Sequence, residues 1–121
     1  MTADLSALIA RLEAAEVGSR ELDEAVWMAC GLEKKIGGPV DAAGNGVWEG
    51  PHVSYFLDAA LALAERLYPE GRLMVERTHE GRGWAMLQPG EYAKIRAMTD
   101  GETPALALVI AILRAKQGEG E

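Results

Sequence analysis

The stretch from Arg72 to Met98 reads RLMVERTHEGRGWAMLQPGEYAKIRAM, and its rhythm decides the fold. Before Gly71 the apolar residues recur at helical spacing; beyond it they alternate. Arg72 to Arg77 predicts a strand. His79-Glu80-Gly81-Arg82-Gly83 is a turn carrying two glycines, and Trp84 to Leu87 predicts the return strand. Gln88-Pro89-Gly90 breaks the pattern. Tyr92 to Met98 then alternates, with Ala93, Ile95 and Ala97 on one face and Tyr92, Lys94 and Arg96 on the other. Strands joined by such short turns predict an antiparallel meander of three or four strands within 72–98.

Helices are expected on both sides of this stretch. Leu5, Leu8, Ile9 and Leu12 form an apolar stripe that Thr2 or Asp4 can cap, ending near Val17-Gly18. Ser19 opens a second helix whose first turns hold Glu21, Asp23 and Glu24, where the helix dipole favours negative charge. Leu22, Ala25, Val26 and Ala29 are its apolar face, and Gly31 is its stop. Residues 33–53 are dense in glycine and proline and predict a long loop, with a short strand at Val47-Trp48 and a tight reversal at Asn45-Gly46. Ser54 is the expected start of a third helix through Leu57, Ala60, Leu61, Ala64 and Leu67, stopped by Pro69. Thr103-Pro104 starts the last helix, because threonine caps and proline fits the first helical position. Ala105 to Leu113 is apolar nearly all round, so this helix should lie buried against the sheet, with a polar end from Gln117. The fold class expected is α+β: a layered sandwich of about four helices on a small antiparallel sheet.

The chain has 121 residues, 49% of them apolar, which is one domain's worth with enough apolar surface for a core. The expectation is a single domain over 1–121. Nineteen acids against twelve bases leave a net charge of −7, a poor basis for non-specific nucleic-acid binding or for an anionic membrane surface. No apolar run reaches the ~20 residues of a membrane span. The first residues lack the basic-then-apolar pattern of a secretory signal, so a cytoplasmic location is expected. A single cysteine, Cys30, excludes an internal disulfide framework.

Catalytic and metal-binding constellations are sparse. His52 and His79 are the only histidines and show no metal-ligand spacing with each other or with Cys30. His52 reads as a loop residue after a proline, and His79 as part of an exposed turn. Cys30 closes a helix, where the dipole disfavours a thiolate, so it reads as a buried structural cysteine. Gly44-Asn45-Gly46 and Gly81-Arg82-Gly83 are not strand-to-helix phosphate cradles. Asp23-Glu24 and Glu119-Glu121 read as solvated surface. No metal, no cofactor and no catalytic set is expected.

Charge segregation is more informative. Residues 1–33 hold seven acids and two bases, whereas residues 72–96 hold five bases and three acids. The cations Arg72, Arg77, Arg82, Lys94 and Arg96 share their stretch with Trp84 and Tyr92, and Trp48 lies in the glycine-rich loop. Guanidinium groups bind phosphate bidentately and aromatic rings stack on bases. These eight residues are therefore the expected ligand-binding set, for a small anionic nucleotide. A plain solvated sheet face is the competing reading. Alternation also sends Arg72 and Arg77 to opposite faces, so their convergence requires a bulge or a second subunit.

Several strings carry a resemblance: Leu-Ile-Ala-Arg-Leu-Glu-Ala-Ala (8–15), Ser-Arg-Glu-Leu-Asp (19–23), Leu-Asp-Ala-Ala-Leu-Ala-Leu (57–63), Pro-Glu-Gly (69–71), Thr-Pro-Ala-Leu-Ala-Leu (103–108) and Leu-Arg-Ala (113–115). In this order the chain resembles the phage alpha-beta-alpha sandwich domain proteins of alphaproteobacterial phages and prophages. The resemblance implies helices on the faces of a central sheet and brings no catalytic residues. Three functions follow as expectations. The first is a non-enzymatic phage protein that sequesters an anionic nucleotide defence signal. The second is an inhibitor of a host defence protein, of the anti-CRISPR kind, acting through the acidic helical half. The third is an accessory protein without a ligand. Each is compatible with a homo-oligomer that builds its pocket at a two-fold interface.

Overall fold

The computed structural model describes residues 5–32, 36–40, 46–48, 50–78, 80–90 and 97–119. Their order is α1 (Leu5–Ala14), α2 (Arg20–Ala29), β1 (Ile36–Val40), β2 (Gly46–Trp48), α3 (Leu57–Leu67), β3 (Arg72–Arg77), β4 (Gly83–Gln88), β5 (Ala97–Gly101) and α4 (Pro104–Glu119). The arrangement is layered α+β, with β3, β4 and β5 forming an antiparallel meander.

The last helix is the centre of the molecule. Ala105 to Leu113 are buried without a break, as the apolar run predicts, and each large side chain among them stabilises the fold by about 2 kcal/mol. Thr103 caps its start by accepting from the Leu106 N–H at 3.1 Å. One side of α4 packs on the sheet through Ala85, Leu87 and Ala97, and α1 and α3 pack on its other sides. Among the described residues the helices cover one sheet face only. The other face exposes Met74 and Met98, in contrast to the two covered faces that the family resemblance implies.

The third strand reaches beyond its expected end at Met98. Its described part is Ala97–Gly101, so the sheet extends past Met98 to Gly101; Tyr92 to Arg96 of the expected strand lie outside the described residues. Two inward positions explain the extension. Thr99 is buried because its hydroxyl donates to the Ala107 carbonyl at 2.7 Å. Gly101 lets α4 approach closely, since a Cβ there would meet the Ala107 nitrogen at 2.6 Å.

The expected loop over 33–53 holds a two-stranded antiparallel pair. Ile36 lies opposite Trp48, Gly37 opposite Val47 and Val40 opposite Gly46, with a register shift between Gly37 and Val40. Pro39 falls inside that shift, where a missing N–H is tolerated. Backbone pairing needs no apolar alternation, which is why the sequence pattern underestimates it.

Helix ends also moved. α1 stops at Ala14, before Val17-Gly18, whereas α4 continues beyond Gln117 to Glu119. Gly31 does carry the left-handed φ of +76° expected of a stop, and Ser19 caps α2 by accepting from the Leu22 N–H. The proposed caps Thr2 and Asp4 lie outside the described residues. Ser54 does not start α3. The helix begins at Leu57 after a turn in which the Tyr55 and Phe56 N–H groups both donate to the His52 carbonyl. Ser54 is instead fully buried, for a reason that defines the candidate site.

Candidate functional site

The sequence-derived ligand set does not come together among the described residues. Arg72 and Arg77 sit at opposite ends of β3, with Arg72 opposite Gln88 and Arg77 opposite Gly83. Arg82 lies in the turn, 3.7 Å from the Glu102 carboxylate. Trp84 is half-buried and stands in register between Glu76 and Asp100, two acids rather than two bases. The Trp48 backbone is on β2. Tyr92, Lys94 and Arg96, like His79 of the turn, lie outside the described residues.

A different constellation forms where α2 meets the segment before α3. Asp23, expected as solvated helix surface, has no exposure at all. Its Oδ1 accepts from the Ser54 N–H at 2.8 Å and from the Ser54 hydroxyl at 2.5 Å. Its Oδ2 accepts from His52 Nδ1 at 2.9 Å. A buried carboxylate is costly unless its lone pairs are met by donors, and here both oxygens are. Local geometry delivers them. Ser19 caps α2, so Asp23 sits one turn further on, with its N–H bonded to the Ser19 carbonyl. The Ser19 N–H in turn donates to the Ser54 hydroxyl at 3.1 Å. Gly18 permits this docking, because a Cβ there would overlap the Ser54 carbonyl. Gly18 is thus a contact glycine and not a helix stop.

Serine, histidine and aspartate together suggest a hydrolytic triad, but the connectivity is wrong for one. In a triad the serine bonds to the imidazole and the aspartate orients the far nitrogen. Here Ser54 is buried and gives its proton to Asp23, so its hydroxyl is a structural donor and not a nucleophile. The Asp23 carboxylate also fixes the imidazole ring. Its bond to Nδ1 leaves Nε2 as the second polar atom of His52, whose side chain is 39% exposed.

Around that ring is an open cleft of about 240 Å³ lined by Arg20, His52, Tyr55 and Phe56. The Tyr55 and Phe56 rings each lie 6.1 Å from the imidazole, edge-on. They remain 44% and 56% exposed. Arg20 is exposed and makes no ion pair among the described residues. The cleft therefore combines a guanidinium, an oriented imidazole and two accessible rings.

The sequence marks His52 as one of two histidines but shows no pattern that joins it to Arg20, Asp23 or Ser54. Tyr55-Phe56 follows the glycine-rich segment as an adjacent aromatic pair, and that pair was the one available signal. The burial of Asp23 also removes a carboxylate from the acidic helical surface, and Glu13 is held by Arg114 at 2.9 Å. Cys30 is buried, as expected. Among the described residues no three His, Cys, Asp or Glu side chains converge as a metal site, and no helix is long and apolar enough to cross a membrane. The chain matches no protein-family model, no curated protein and no solved structure.

Proposed function

We propose that the protein is a small non-enzymatic binding protein that captures an anionic ligand carrying an aromatic base, of the nucleotide class, in the cleft of Arg20, His52, Tyr55 and Phe56. The observation that carries this reading is the cost built into the cleft. A buried carboxylate is committed to holding His52, while two large rings beside it are left in water. A guanidinium fork takes phosphate oxygens, and exposed rings offer stacking faces to a base. The chemistry is that expected from the sequence; its residues are different ones. In the phage setting expected from the sequence, the ligand would be a nucleotide defence signal withdrawn from a host system.

Titration calorimetry with a panel of cyclic and ADP-ribose-type nucleotides tests this. Binding should be lost in Arg20→Ala and weakened in Tyr55→Ala. Absence of heat and of any thermal shift across the panel would refute the reading.

A further inference from the structure

The uncovered face of the β3–β4–β5 sheet has a pattern of its own. Register places Met74, Met86 and Met98 in one row across all three strands. Met74 is 50% and Met98 63% exposed. Alternation puts Arg72 on this face two residues before Met74, and Glu76 two residues after it. Both are exposed, and neither forms an ion pair among the described residues. The face is thus an apolar band with Arg72 on one side and, on the other, a row of Glu76, half-buried Trp84 and exposed Asp100.

We propose that this face binds a second copy of the chain. Consider a two-fold axis running along the methionine row, between two facing sheets. The rotation reverses strand direction and leaves the row in place. Methionines then meet methionines, and Arg72 of each copy faces Glu76 of the other. Both ion pairs form at once, because the contact is isologous. Facing sheets pack about 10 Å apart, a gap that long unbranched side chains fill well. A face with its cation on one side of the apolar band and its acids on the other meets opposite charge when turned about that band, which is what singles out a second copy as the occupant. Covering the band also removes three adjacent methionine side chains from water, two of them at least half exposed in the single chain.

Sedimentation velocity on the full chain, across a hundredfold range of concentration, tests the proposal. The wild type should sediment at twice the 13.0 kDa chain mass at high concentration and dissociate on dilution. Met98→Glu should give a monomer with an unchanged circular dichroism spectrum, since this side chain is outside the core. Arg72→Glu alone and Glu76→Arg alone should each weaken the dimer by roughly tenfold or more. The double variant Arg72→Glu/Glu76→Arg should restore it, because each copy then offers the swapped charges to the other. A monomer at every concentration, a dimer that survives Met98→Glu, or a double variant no tighter than the single ones would overturn the proposal. None of these outcomes depends on nucleotide binding in the cleft.

Discussion

Asp23 and Ser54, 31 positions apart, share two hydrogen bonds: one Asp23 carboxylate oxygen accepts both the Ser54 N–H and the Ser54 hydroxyl. This contact pins the segment before α3 to the first turn of α2. The other oxygen holds His52. Structural and functional roles thus meet on one buried carboxylate, and the two can be separated by mutation.

Asp23→Ala should destabilise the protein by about 3 kcal/mol, because it strands the buried Ser54 N–H, leaves the Ser54 hydroxyl only the Ser19 carbonyl at 3.1 Å and frees the His52 ring. Urea denaturation followed by circular dichroism checks the figure. His52→Ala, which removes one partly exposed bond, should cost about 1 kcal/mol. Equal losses in the two variants would mean that Ser54 draws nothing from the carboxylate.

Gly18 and Gly31 should respond to alanine for different reasons. Gly18→Ala drives a Cβ into the Ser54 backbone, and such overpacking costs about 1–3 kcal/mol. At Gly31 a Cβ meets nothing within 4 Å; the strain there is the positive φ alone, about 1 kcal/mol. Thermal melts should rank Gly18→Ala below Gly31→Ala, and the former should also weaken any ligand held in the cleft.

Thr99→Val keeps the shape of an inward-facing side chain and deletes its hydroxyl. The Ala107 carbonyl then loses one donor, for a cost of about 1 kcal/mol. Thr103→Ala removes the cap of α4 and should cost a similar amount. Both threonines hold the first turn of α4, Thr99 through Ala107 and Thr103 through Leu106 and Ala107, so the loss in the double variant should depart from the sum, as read from denaturant midpoints.

Glu13 and Arg114 form a 2.9 Å pair between α1 and α4, with both side chains more than two-fifths exposed. Solvent screening limits such a pair to under about 1 kcal/mol. Glu13→Gln should therefore leave the melting temperature nearly unchanged. A large drop would show that this contact, and not the apolar packing of Leu8, Ile9 and Leu12, holds α1 in place.

Which parts could be read from the residues follows from where the signal resides. Apolar period is local, so α4 and the strands β3 and β4 were legible almost to the residue. Caps are local too: Ser19, Thr103 and Gly31 do what their chemistry predicts. Strand β5 was legible only in part, because Thr99 and Gly101 owe their inward positions to the Ala107 region of α4 and not to hydrophobicity. The charge count over 72–96 locates cations along the chain but not in space. Net charge along a segment ignores alternation, and alternation separates Arg72 from Arg77 and sets Trp84 between Glu76 and Asp100.

The sequence by itself determined the α+β class, the meander, and a central helix buried on all sides, because periodicity and capping act between residues a few positions apart. Only the tertiary structure decided that Asp23 is buried, that His52 has a fixed orientation, and that Arg20, Tyr55 and Phe56 share its cleft. Those relations join residues about thirty positions apart. They depend on a backbone approach at Gly18 that no local pattern encodes.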